Sequence, residues 1–328
     1  MPVSKVVQAT EPLIEVKHLV KHFPGKKKLF APPAVVKAVN DLSFTIGKGT
    51  TYGLVGESGC GKSTTGRMLL RLIEPTSGEV FYQGKDILKL NRLELRQLRK
   101  DMQIVFQDPF SALNPRIRVG EAIREVLDIH SIGEPNTRRE QVYELFHRVG
   151  LNREQYDRYP HEFSGGQRQR IVLARALAVD PGFIVCDEAV SALDVSTQSQ
   201  VINLLEDLQQ DLSLTYLFIA HNLSVVRHIA DKIGVMYLGN LVEEANTDDL
   251  FSEPLHPYTQ ALLSAIPRTD LNSKRERIVL SGDVPSPLNL PAGCVFHTRC
   301  PAAREQCRQE APPQKNVPAG RRVACHLY

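Results

Sequence analysis

The stretch Gly56-Glu57-Ser58-Gly59-Cys60-Gly61-Lys62-Ser63 matches the pattern G-x-x-x-x-G-K-S/T of a phosphate-binding loop at every fixed position. The glycines allow successive backbone N–H groups to point inward, and a helix predicted to begin near Lys62 directs the positive end of its dipole to the same place. Lys62 is expected to reach the β- and γ-phosphates, and the Ser63 hydroxyl to hold Mg²⁺. The stretch therefore predicts a nucleoside triphosphate site.

Short, continuous apolar runs indicate strands that are buried on both faces of a parallel sheet. These runs are Tyr52-Gly53-Leu54-Val55, Phe183-Ile184-Val185-Cys186 and Tyr216-Leu217-Phe218-Ile219-Ala220. Ligands of open α/β sheets bind outside the carboxyl ends of the strands. We therefore expect Gly56, the pair Asp187-Glu188 and His221 to converge on one edge of an α/β fold.

Two other patterns predict the parts around this sheet. The stretches 13–16 and 38–46 alternate apolar and polar residues, which is typical of half-buried strands, and we expect them to pair antiparallel around a loop containing Lys26-Lys27-Lys28. Residues 121–178 have a mostly helical pattern, clearest at 140–149 and 167–177. This pattern predicts a helical subdomain at about 108–178.

Composition sets limits on the class of protein. The chain has 328 residues, 42% of them hydrophobic, which allows two domains. A composition shift after Pro254 predicts a boundary near residue 255, with domains at 1–255 and 256–328. The formal net charge of +3 is too small to predict nucleic-acid binding. No apolar run is long enough to span a bilayer, and the start Met1-Pro2-Val3-Ser4-Lys5 lacks the apolar core of a secretory signal, so we expect the chain to stay in the cytosol.

The pair Asp187-Glu188 follows a buried strand directly. A carboxylate at that place faces either solvent or a ligand, and Asp187 is expected to reach Mg²⁺ through water or through another group that binds the ion. Strand geometry points neighbouring side chains in different directions, so Glu188 is free for a separate role. We expect it to act as the general base that polarises the attacking water.

Three motifs, in this order along the chain, resemble those of the ATP-binding cassette (ABC) family. They are the phosphate loop, the turn Ser164-Gly165-Gly166-Gln167, and Asp187-Glu188 with the following Ser191-Ala192-Leu193-Asp194. The resemblance implies a P-loop nucleotide-binding domain with a parallel core sheet, an antiparallel β subdomain and a helical subdomain. It also implies a dimer, because the family binds ATP between the phosphate loop of one subunit and the SGGQ turn of its partner.

The same resemblance implies roles for single residues. Gln107 matches the family's Q-loop, His221 its switch histidine at the γ-phosphate, and Asp194 its D-loop. Glu188, His221 and Gln107 are then the catalytic residues, and Ser63, Gln107 and Asp187 the Mg²⁺ ligands. The residues expected to contact ATP are Phe23, which stacks on adenine, and Gly56, Glu57, Ser58, Gly59, Cys60, Gly61, Lys62, Ser63 and Thr64. Two positions depart from the usual family pattern, Ala189 in place of proline and Asn222 in place of aspartate.

Three longer stretches resemble one subfamily, the ATPase subunits of oligopeptide and dipeptide importers. They are Phe106-Gln107-Asp108-Pro109-Phe110-Ser111-Ala112-Leu113-Asn114-Pro115-Arg116, His256-Pro257-Tyr258-Thr259-Gln260-Ala261-Leu262-Leu263 and Leu280-Ser281-Gly282-Asp283-Val284-Pro285-Ser286-Pro287. Residues 190–196 are similar to the second of the two ATPase subunits of such systems, which implies a heterodimer. The further partners implied are two transmembrane permease subunits and an extracytoplasmic substrate-binding protein, with this chain peripheral on the cytoplasmic face of the inner or plasma membrane.

Other functions share these motifs. ATPases of nickel and antimicrobial-peptide transporters have the same stretches, so the cargo stays open. Soluble ABC ATPases that act on DNA or ribosomes form a different class, but those on DNA interrupt the cassette with long coiled coils and those on ribosomes carry two cassettes. This chain has one uninterrupted cassette, which favours a transporter ATPase without a nucleic-acid partner.

Four of the six cysteines lie in the last part of the chain, at Cys294, Cys300, Cys307 and Cys325. The cytosol disfavours disulfides, and the close cysteine pairs of a typical structural zinc site are absent. From the residues alone, an iron–sulfur cluster, zinc and no metal all stay open. Resemblance to the peptide-importer ATPases, some of which hold a 4Fe–4S cluster in this tail, implies the cluster, with structural Zn²⁺ as the alternative. The resemblance thus adds a small, cysteine-rich C-terminal domain.

Overall fold

A computed structural model describes residues 11–25, 35–266 and 277–328 of the chain. The loop with Lys26-Lys27-Lys28 and the segment Met1-Pro2-Val3-Ser4-Lys5 lie outside these residues. The chain divides into two compact units. Of the described residues, the first unit takes 11–25, 35–47, 51–88, 220–266 and 277–328, and the second takes 48–50 and 89–219.

The strands, in chain order, are β1 (Pro12–Pro24), β2 (Val35–Gly47), β3 (Thr51–Val55), β4 (Ser77–Tyr82), β5 (Lys85–Asp86), β6 (Met102–Val105), β7 (Phe183–Asp187), β8 (Thr215–Ala220), β9 (Lys232–Tyr237), β10 (Asn240–Asn246), β11 (Lys315–Val317) and β12 (Arg321–Val323). The α-helices are α1 (Lys62–Leu69), α2 (Arg92–Asp101), α3 (Pro109–Ala112), α4 (Val119–Ile129), α5 (Arg138–Arg148), α6 (Gly165–Leu177), α7 (Val195–Leu212), α8 (Leu223–Ile229), α9 (Thr247–Ser252), α10 (Pro257–Ser264) and α11 (Glu305–Gln309).

The first unit contains an antiparallel sheet with the strand order β2-β1-β4-β5. β1 and β2 pair as their alternating pattern predicts, with Ile14 opposite Ile46 and Val16 opposite Phe44. All four of these side chains are buried. Because apolar and polar residues alternate, the apolar side chains lie on one face of each strand. This face forms the core beside the antiparallel sheet.

The first unit also contains the strand order β11-β12-β10-β9-β3, in which β3 and β9 run parallel and the other neighbours antiparallel. The expectation of a parallel core sheet is therefore only partly correct, and the sheet is mixed. The reason is local, because Leu238 and Gly239 join β9 to β10 with positive φ angles of 44° and 80°. Two such residues form the tight hairpin turn that only antiparallel strands accept.

The second unit is built on three parallel strands in the order β6-β7-β8. Every residue of β7 and β8 is buried, as the apolar runs predict. The helices α2 to α7 belong to this unit. The two clearest helical stretches of the sequence, 140–149 and 167–177, correspond to α5 and α6. The helices α3 to α6 lie within the range of about 108–178 that was predicted for a helical subdomain, and this subdomain stays a prediction.

The last part of the chain packs within the first unit. β12 pairs with β10, placing Val323 opposite Glu243. Phe296 is fully buried, with its ring centroid 5.1 Å from that of Tyr237 and 5.3 Å from that of Tyr258. The described residues 220–266 and 277–328 lie together in this unit, and the boundary near residue 255 stays a prediction. Across the described parts of the chain, every helix is too short or too polar to cross a membrane.

Candidate nucleotide-binding site

The phosphate loop connects β3 to α1 in the first unit. Gly56 and Gly61 have φ angles of +152° and +107°, which L side chains rarely adopt. A Cβ at Gly56 would lie 2.2 Å from the Met236 carbonyl oxygen, and one at Gly61 would lie 2.2 Å from that of Ala38. The two fixed glycines are therefore required because the loop is pressed against the backbone of β2 and β9.

Lys62 begins α1, and its side chain is turned back under the loop. The residue is 4% exposed, and its Nζ donates hydrogen bonds to the carbonyl oxygens of Gly56, at 2.9 Å, and Glu57, at 3.0 Å. Carbonyl oxygens hold the ammonium in place without neutralising its charge, so the charge stays available to an anion. Ser58 and Gly59 at the tip of the loop are exposed, and Ser63 and Thr64 lie in the first turn of α1.

The side chain of Cys60 is withdrawn from solvent, with the residue 3% exposed. Burial raises the pKa of its thiol, and the nearby Lys62 ammonium opposes this shift only in part. A Cβ at Gly56 would also lie 2.8 Å from Cys60 Sγ. Cys60 therefore packs beneath the loop as a neutral thiol.

In the second unit, Asp187 ends β7 and is 4% exposed. Glu188 follows with a φ of +50°, in the left-handed region that a side chain with a Cβ disfavours. Its N–H donates to the Ile219 carbonyl oxygen at 3.0 Å, and its own carbonyl accepts from the N–H and hydroxyl of Ser191. Its carboxylate accepts a hydrogen bond from Gln107 Nε2 at 2.8 Å. The structure thus joins two of the predicted catalytic residues, Glu188 and Gln107, in one contact.

The turn Ser164-Gly165-Gly166-Gln167 forms the start of α6. The Ser164 hydroxyl accepts from the Gln167 N–H at 3.3 Å, and the Gln167 side-chain oxygen accepts from the Ser164 N–H at 3.1 Å, which makes a reciprocal capping box. Gly166 is buried, and a Cβ there would lie 2.3 Å from Thr197 Cγ2. The glycine turn therefore packs against the first turn of α7.

Asp194 caps α7. Its carboxylate accepts hydrogen bonds from the Ser196 hydroxyl, at 2.6 Å, and from the hydroxyl and N–H of Thr197, at 2.7 and 3.0 Å. These bonds, led by those from the Ser196 and Thr197 hydroxyls, hold the pKa of Asp194 well below its usual range. The predicted D-loop aspartate is thus an ionised helix cap, beside the glycine turn that begins α6.

Two arginines after the glycine turn have structural contacts. Arg168 is 8% exposed, and its guanidinium donates to the carbonyl oxygens of Pro160 and His161 and lies 3.7 Å from the centre of the Phe110 ring. Arg170 donates to the Val149 carbonyl oxygen at 2.7 Å. Both therefore hold α6 to the segments around it.

Phe23 and His221 are placed in the first unit. Phe23 lies near the end of β1, half-buried, with the Lys21 ammonium 4.9 Å from its ring centroid. His221 directly follows β8 and is exposed. Their roles at adenine and at the γ-phosphate stay predictions.

The predicted metal site in the tail is not formed. Within the residues described, no three histidine, cysteine, aspartate or glutamate side chains are arranged to hold a metal ion. The prediction of an iron–sulfur (4Fe–4S) cluster at Cys294, Cys300, Cys307 and Cys325 is therefore wrong, and the structural zinc alternative lacks a site for the same reason.

The physical reasons for this correction lie in burial and packing. Burial raises the pKa of Cys294 to about 11 and also raises those of Cys300 and Cys325, so these side chains are neutral thiols in the structure. The segment also has apolar packing that holds it without a metal. Leu255, Val323 and Cys325 form a buried cluster, and Phe296 packs among aromatic rings.

Sequence reasoning missed two residues that reach the phosphate loop from the last part of the chain. Arg299 forms an ion pair with the Glu57 carboxylate, and the Tyr258 hydroxyl accepts a hydrogen bond from the Glu57 N–H. Arg299 and Glu57 are 242 positions apart, so no local pattern connects them. Tyr258 lies in a stretch whose one sequence signal is its family resemblance.

The loop, the buried carboxylate that ends β7 and the capped glycine turn define the class of P-loop ATPases. The chain is 53% identical over 322 residues to the oligopeptide transport ATP-binding protein AppF of Bacillus subtilis, covering 97% of this chain and 98% of that one. It is a member of the ABC transporter family, among the ATP-binding proteins of the oligopeptide and dipeptide group.

Further comparisons agree with this assignment. The family models "ABC transporter" and "Oligopeptide/dipeptide transporter, C-terminal region" match residues 39–191 and 242–307. The dipeptide transport ATP-binding protein DppF of Escherichia coli is 52% identical over 315 residues, with 96% of this chain and 94% of that one covered. A dimeric, post-hydrolysis structure of the ATP-binding cassette MJ0796, bound to ADP and Pi, has a TM-score of 0.63 and 27% identity over 71% of this chain and 98% of that one. The chain is thus an ABC-type ATPase.

Proposed function

We propose that this chain is the ATP-hydrolysing subunit that powers uptake of di- or oligopeptides by a membrane ABC importer. The observation that carries the proposal is the likeness to AppF and DppF along nearly the whole length of each chain. The tail supports it as well, since residues 242–307 match the C-terminal region of oligopeptide and dipeptide transporters. As a translocase subunit, the chain converts ATP hydrolysis into movement of the membrane subunits.

Within this proposal, the chain's residues divide the work at ATP. The backbone N–H groups of the loop and the Lys62 ammonium bind the phosphates, Phe23 stacks on adenine, and His221 contacts the γ-phosphate. The side chains of Ser63, Gln107 and Asp187 present oxygen atoms, which are the ligands that Mg²⁺ prefers. Bound Mg²⁺ would neutralise charge that develops on the phosphates.

Glu188 is proposed to accept a proton from the attacking water. Its hydrogen bond to Gln107 orients the carboxylate, and its backbone contacts to Ile219 and Ser191 fix where the side chain starts. Gln107 then acts as a positioning residue for the base as well as a Mg²⁺ ligand. A general base of this kind contributes roughly 10²–10⁴-fold to a hydrolysis rate.

The proposal includes a second ATPase subunit. The Ser164-Gly165-Gly166-Gln167 turn presents a helix N-terminus, which favours anions, and we propose that it contacts the ATP held by the partner's phosphate loop. The dimeric structures of the cassette MJ0796 support pairing of this kind. We further propose that the partner is a homologous but different chain, giving a heterodimer. Two permease subunits would bind the pair at the cytoplasmic face of the membrane, and an extracytoplasmic binding protein would deliver the peptide.

The test is transport by the assembled system. The chain is co-expressed with the permease subunits, the partner ATPase and the binding protein of a peptide importer, and the purified complex is placed in proteoliposomes. We expect ATP-dependent uptake of a radiolabelled dipeptide, which Lys62→Ala abolishes because its loop has lost the ammonium that binds the phosphates. Arg67→Ala is the matched control, because Arg67 is an exposed cation on the same helix.

Other outcomes would replace the proposal. ATP-dependent uptake of radiolabelled nickel without dipeptide uptake would identify a nickel transporter. Uptake of an antimicrobial peptide, without uptake of dipeptide or nickel, would identify an antimicrobial-peptide transporter. ATP hydrolysis by a chain that does not join the membrane fraction when the permease genes are co-expressed would indicate an ABC ATPase outside transport.

A further inference from the structure

Glu57 places a negative charge within the loop that is proposed to bind a triphosphate. Its side chain is 27% exposed, and its carbonyl oxygen is one of the two that hold Lys62. A carboxylate near phosphates weakens their binding unless a cation compensates it, because like charges repel strongly where water is partly excluded. Lys62 donates to the backbone of Glu57 and not to its carboxylate, so the compensating charge must come from elsewhere.

Arg299 provides this charge. Its Nη1 donates to both carboxylate oxygens of Glu57, at 2.9 and 3.2 Å. Only 9% of the Arg299 side chain is exposed, so solvent screens the pair weakly. The pair leaves no net charge at the second position of the loop.

The elements that carry the pair fix its position. The Tyr258 hydroxyl accepts the Glu57 N–H at 2.9 Å, and Tyr258 itself is fully buried at the start of α10. Its ring packs 4.8 Å from that of Tyr237 and 5.3 Å from that of Phe296. The Arg299 N–H donates to the Phe296 carbonyl oxygen at 3.0 Å. Arg299 and Tyr258 therefore hold Glu57 from the same aromatic cluster.

We propose that Arg299 is a positioning residue that sets the ATP affinity of the phosphate loop by neutralising Glu57, with the Tyr258 hydroxyl holding the loop in place. The inference rests on the proposed function, because it takes the loop as the phosphate site. It gives the last part of the chain a direct influence on nucleotide binding. The influence is electrostatic, so it depends on the sum of the two charges and not on either side chain alone.

The test measures the dissociation constant of Mg-ATP by calorimetry on the full-length chain and three variants. Arg299→Gln leaves Glu57 uncompensated and is expected to weaken binding about tenfold. Glu57→Gln leaves Arg299 as an added positive charge and is expected to tighten binding about threefold. The double variant has no net charge at this position, and its affinity is expected to return to within about twofold of the wild type. If the pair served packing alone, both single variants would bind Mg-ATP more weakly than the wild type. The double variant would then bind Mg-ATP no more tightly than either single variant.

Two further measurements keep the result interpretable. Tyr258→Phe keeps the ring and removes only the hydroxyl, and we expect it to weaken ATP binding a few-fold. This variant still tests the proposal if Arg299→Gln does not fold. Arg299→Lys keeps the charge and should stay closer to the wild type than Arg299→Gln. Equal affinity of Arg299→Gln and the wild type, or weaker binding by Glu57→Gln, would overturn the inference. A wild-type chain that binds no ATP would instead reject the loop as the phosphate site, and Lys62→Ala gives the reference for that outcome.

Discussion

Glu188 holds a backbone conformation that a glutamate rarely adopts. Its φ of +50° costs on the order of 1 kcal/mol in a residue with a Cβ, and three hydrogen bonds to Ile219 and Ser191 maintain it. Strain of this kind is retained where the surrounding structure fixes it, and here it directs the carboxylate to Gln107. At the residue scale, the proposed base is thus positioned by its own backbone.

Replacing Glu188 by Gln tests its role as a base. The amide oxygen of glutamine can accept the same hydrogen bond from Gln107, so the geometry is kept and only the charge is lost. We expect ATP binding to persist and hydrolysis to fall roughly 10²–10⁴-fold in the assembled transporter. The measurements are steady-state turnover and nucleotide retention. Turnover near that of the wild type would remove Glu188 from the mechanism, provided that the partner's ATP site has been inactivated in the same complex.

The contact between α6 and α7 explains the second glycine of the SGGQ turn at the element scale. Alanine favours a helix over glycine by about 1 kcal/mol, so propensity alone predicts that Gly166→Ala stabilises α6. The Thr197 methyl group opposes this, because it lies 2.3 Å from the place that the alanine Cβ would take. Steric overlap of this size usually costs about 1–3 kcal/mol, so we expect Gly166→Ala to lower the free energy of unfolding in urea.

Thr197→Ser provides the matched control for this prediction. Serine removes the methyl group and keeps a hydroxyl for the bond to Asp194, so the cap of α7 is preserved. The double variant Gly166→Ala with Thr197→Ser should recover most of the lost free energy. If Gly166→Ala and the double variant have the same free energy of unfolding, the contact between α6 and α7 is not the reason that residue 166 must be a glycine.

His256 at the start of α10 gives a pH-dependent contribution to stability. It is 1% exposed, and its Nδ1 accepts the Tyr258 N–H at 3.0 Å, so it caps the helix as a neutral ring. Burial lowers its pKa from the ordinary 6.5 to about 3. The unfolded chain then binds the proton more readily. Stability that is present above pH 6.5 is lost as the pH falls toward 3, by at most about 1.4 kcal/mol per pH unit.

His256→Asn keeps a capping acceptor and does not titrate in this range. We expect urea unfolding free energies at about pH 7, 6 and 5 to fall more steeply for the wild type than for the variant. The neighbouring Glu243 carboxylate, which accepts the Leu255 and His256 N–H groups, is present in both proteins and cancels in the comparison. Parallel pH profiles would show that His256 does not supply the slope.

At the scale of the whole chain, one buried carboxylate joins strands that are far apart in sequence. Glu244 of β10 is fully buried, pairs with Lys232 of β9 and Arg322 of β12, and accepts the Tyr52 hydroxyl of β3 at 3.0 Å. Glu244→Gln leaves two cations without their counter-charge. We expect a loss of about 3 kcal/mol in the free energy of unfolding.

Glu140→Gln is the control for Glu244. Glu140 also pairs with an arginine, Arg153, at 3.3 Å, but the two side chains are 61% and 68% exposed. Exposed ion pairs contribute little, so this variant should stay within about 1 kcal/mol of the wild type. Similar losses in both variants would mean that burial does not distinguish the two pairs.

The parts of the fold and the site that were predictable are those with local signals. The loop at Gly56 and Gly61 has fixed spacing, and fully apolar runs mark β3, β7 and β8. The mixed sheet was missed because it depends on the Leu238-Gly239 hairpin, whose conformation is not evident from residue type at Leu238. The ion pair between Arg299 and Glu57 and the aromatic packing around Phe296 depend on contacts between distant segments. The error over the four cysteines has the same origin, since the burial of Cys307 and Cys325 and the core around Val323 appear only in three dimensions.

The separation of Glu57 and Arg299 has a consequence for the order in which the protein matures. Arg299 lies 242 positions after Glu57. A ribosome adds roughly 5–20 residues per second, so Arg299 is made about 10 to 50 s after Glu57. The strand and helix on either side of the loop can be made long before the arginine exists. The nascent chain therefore carries an uncompensated Glu57 until Arg299 has been made. By the role proposed for Arg299, it reaches its full affinity for nucleotide only after that point.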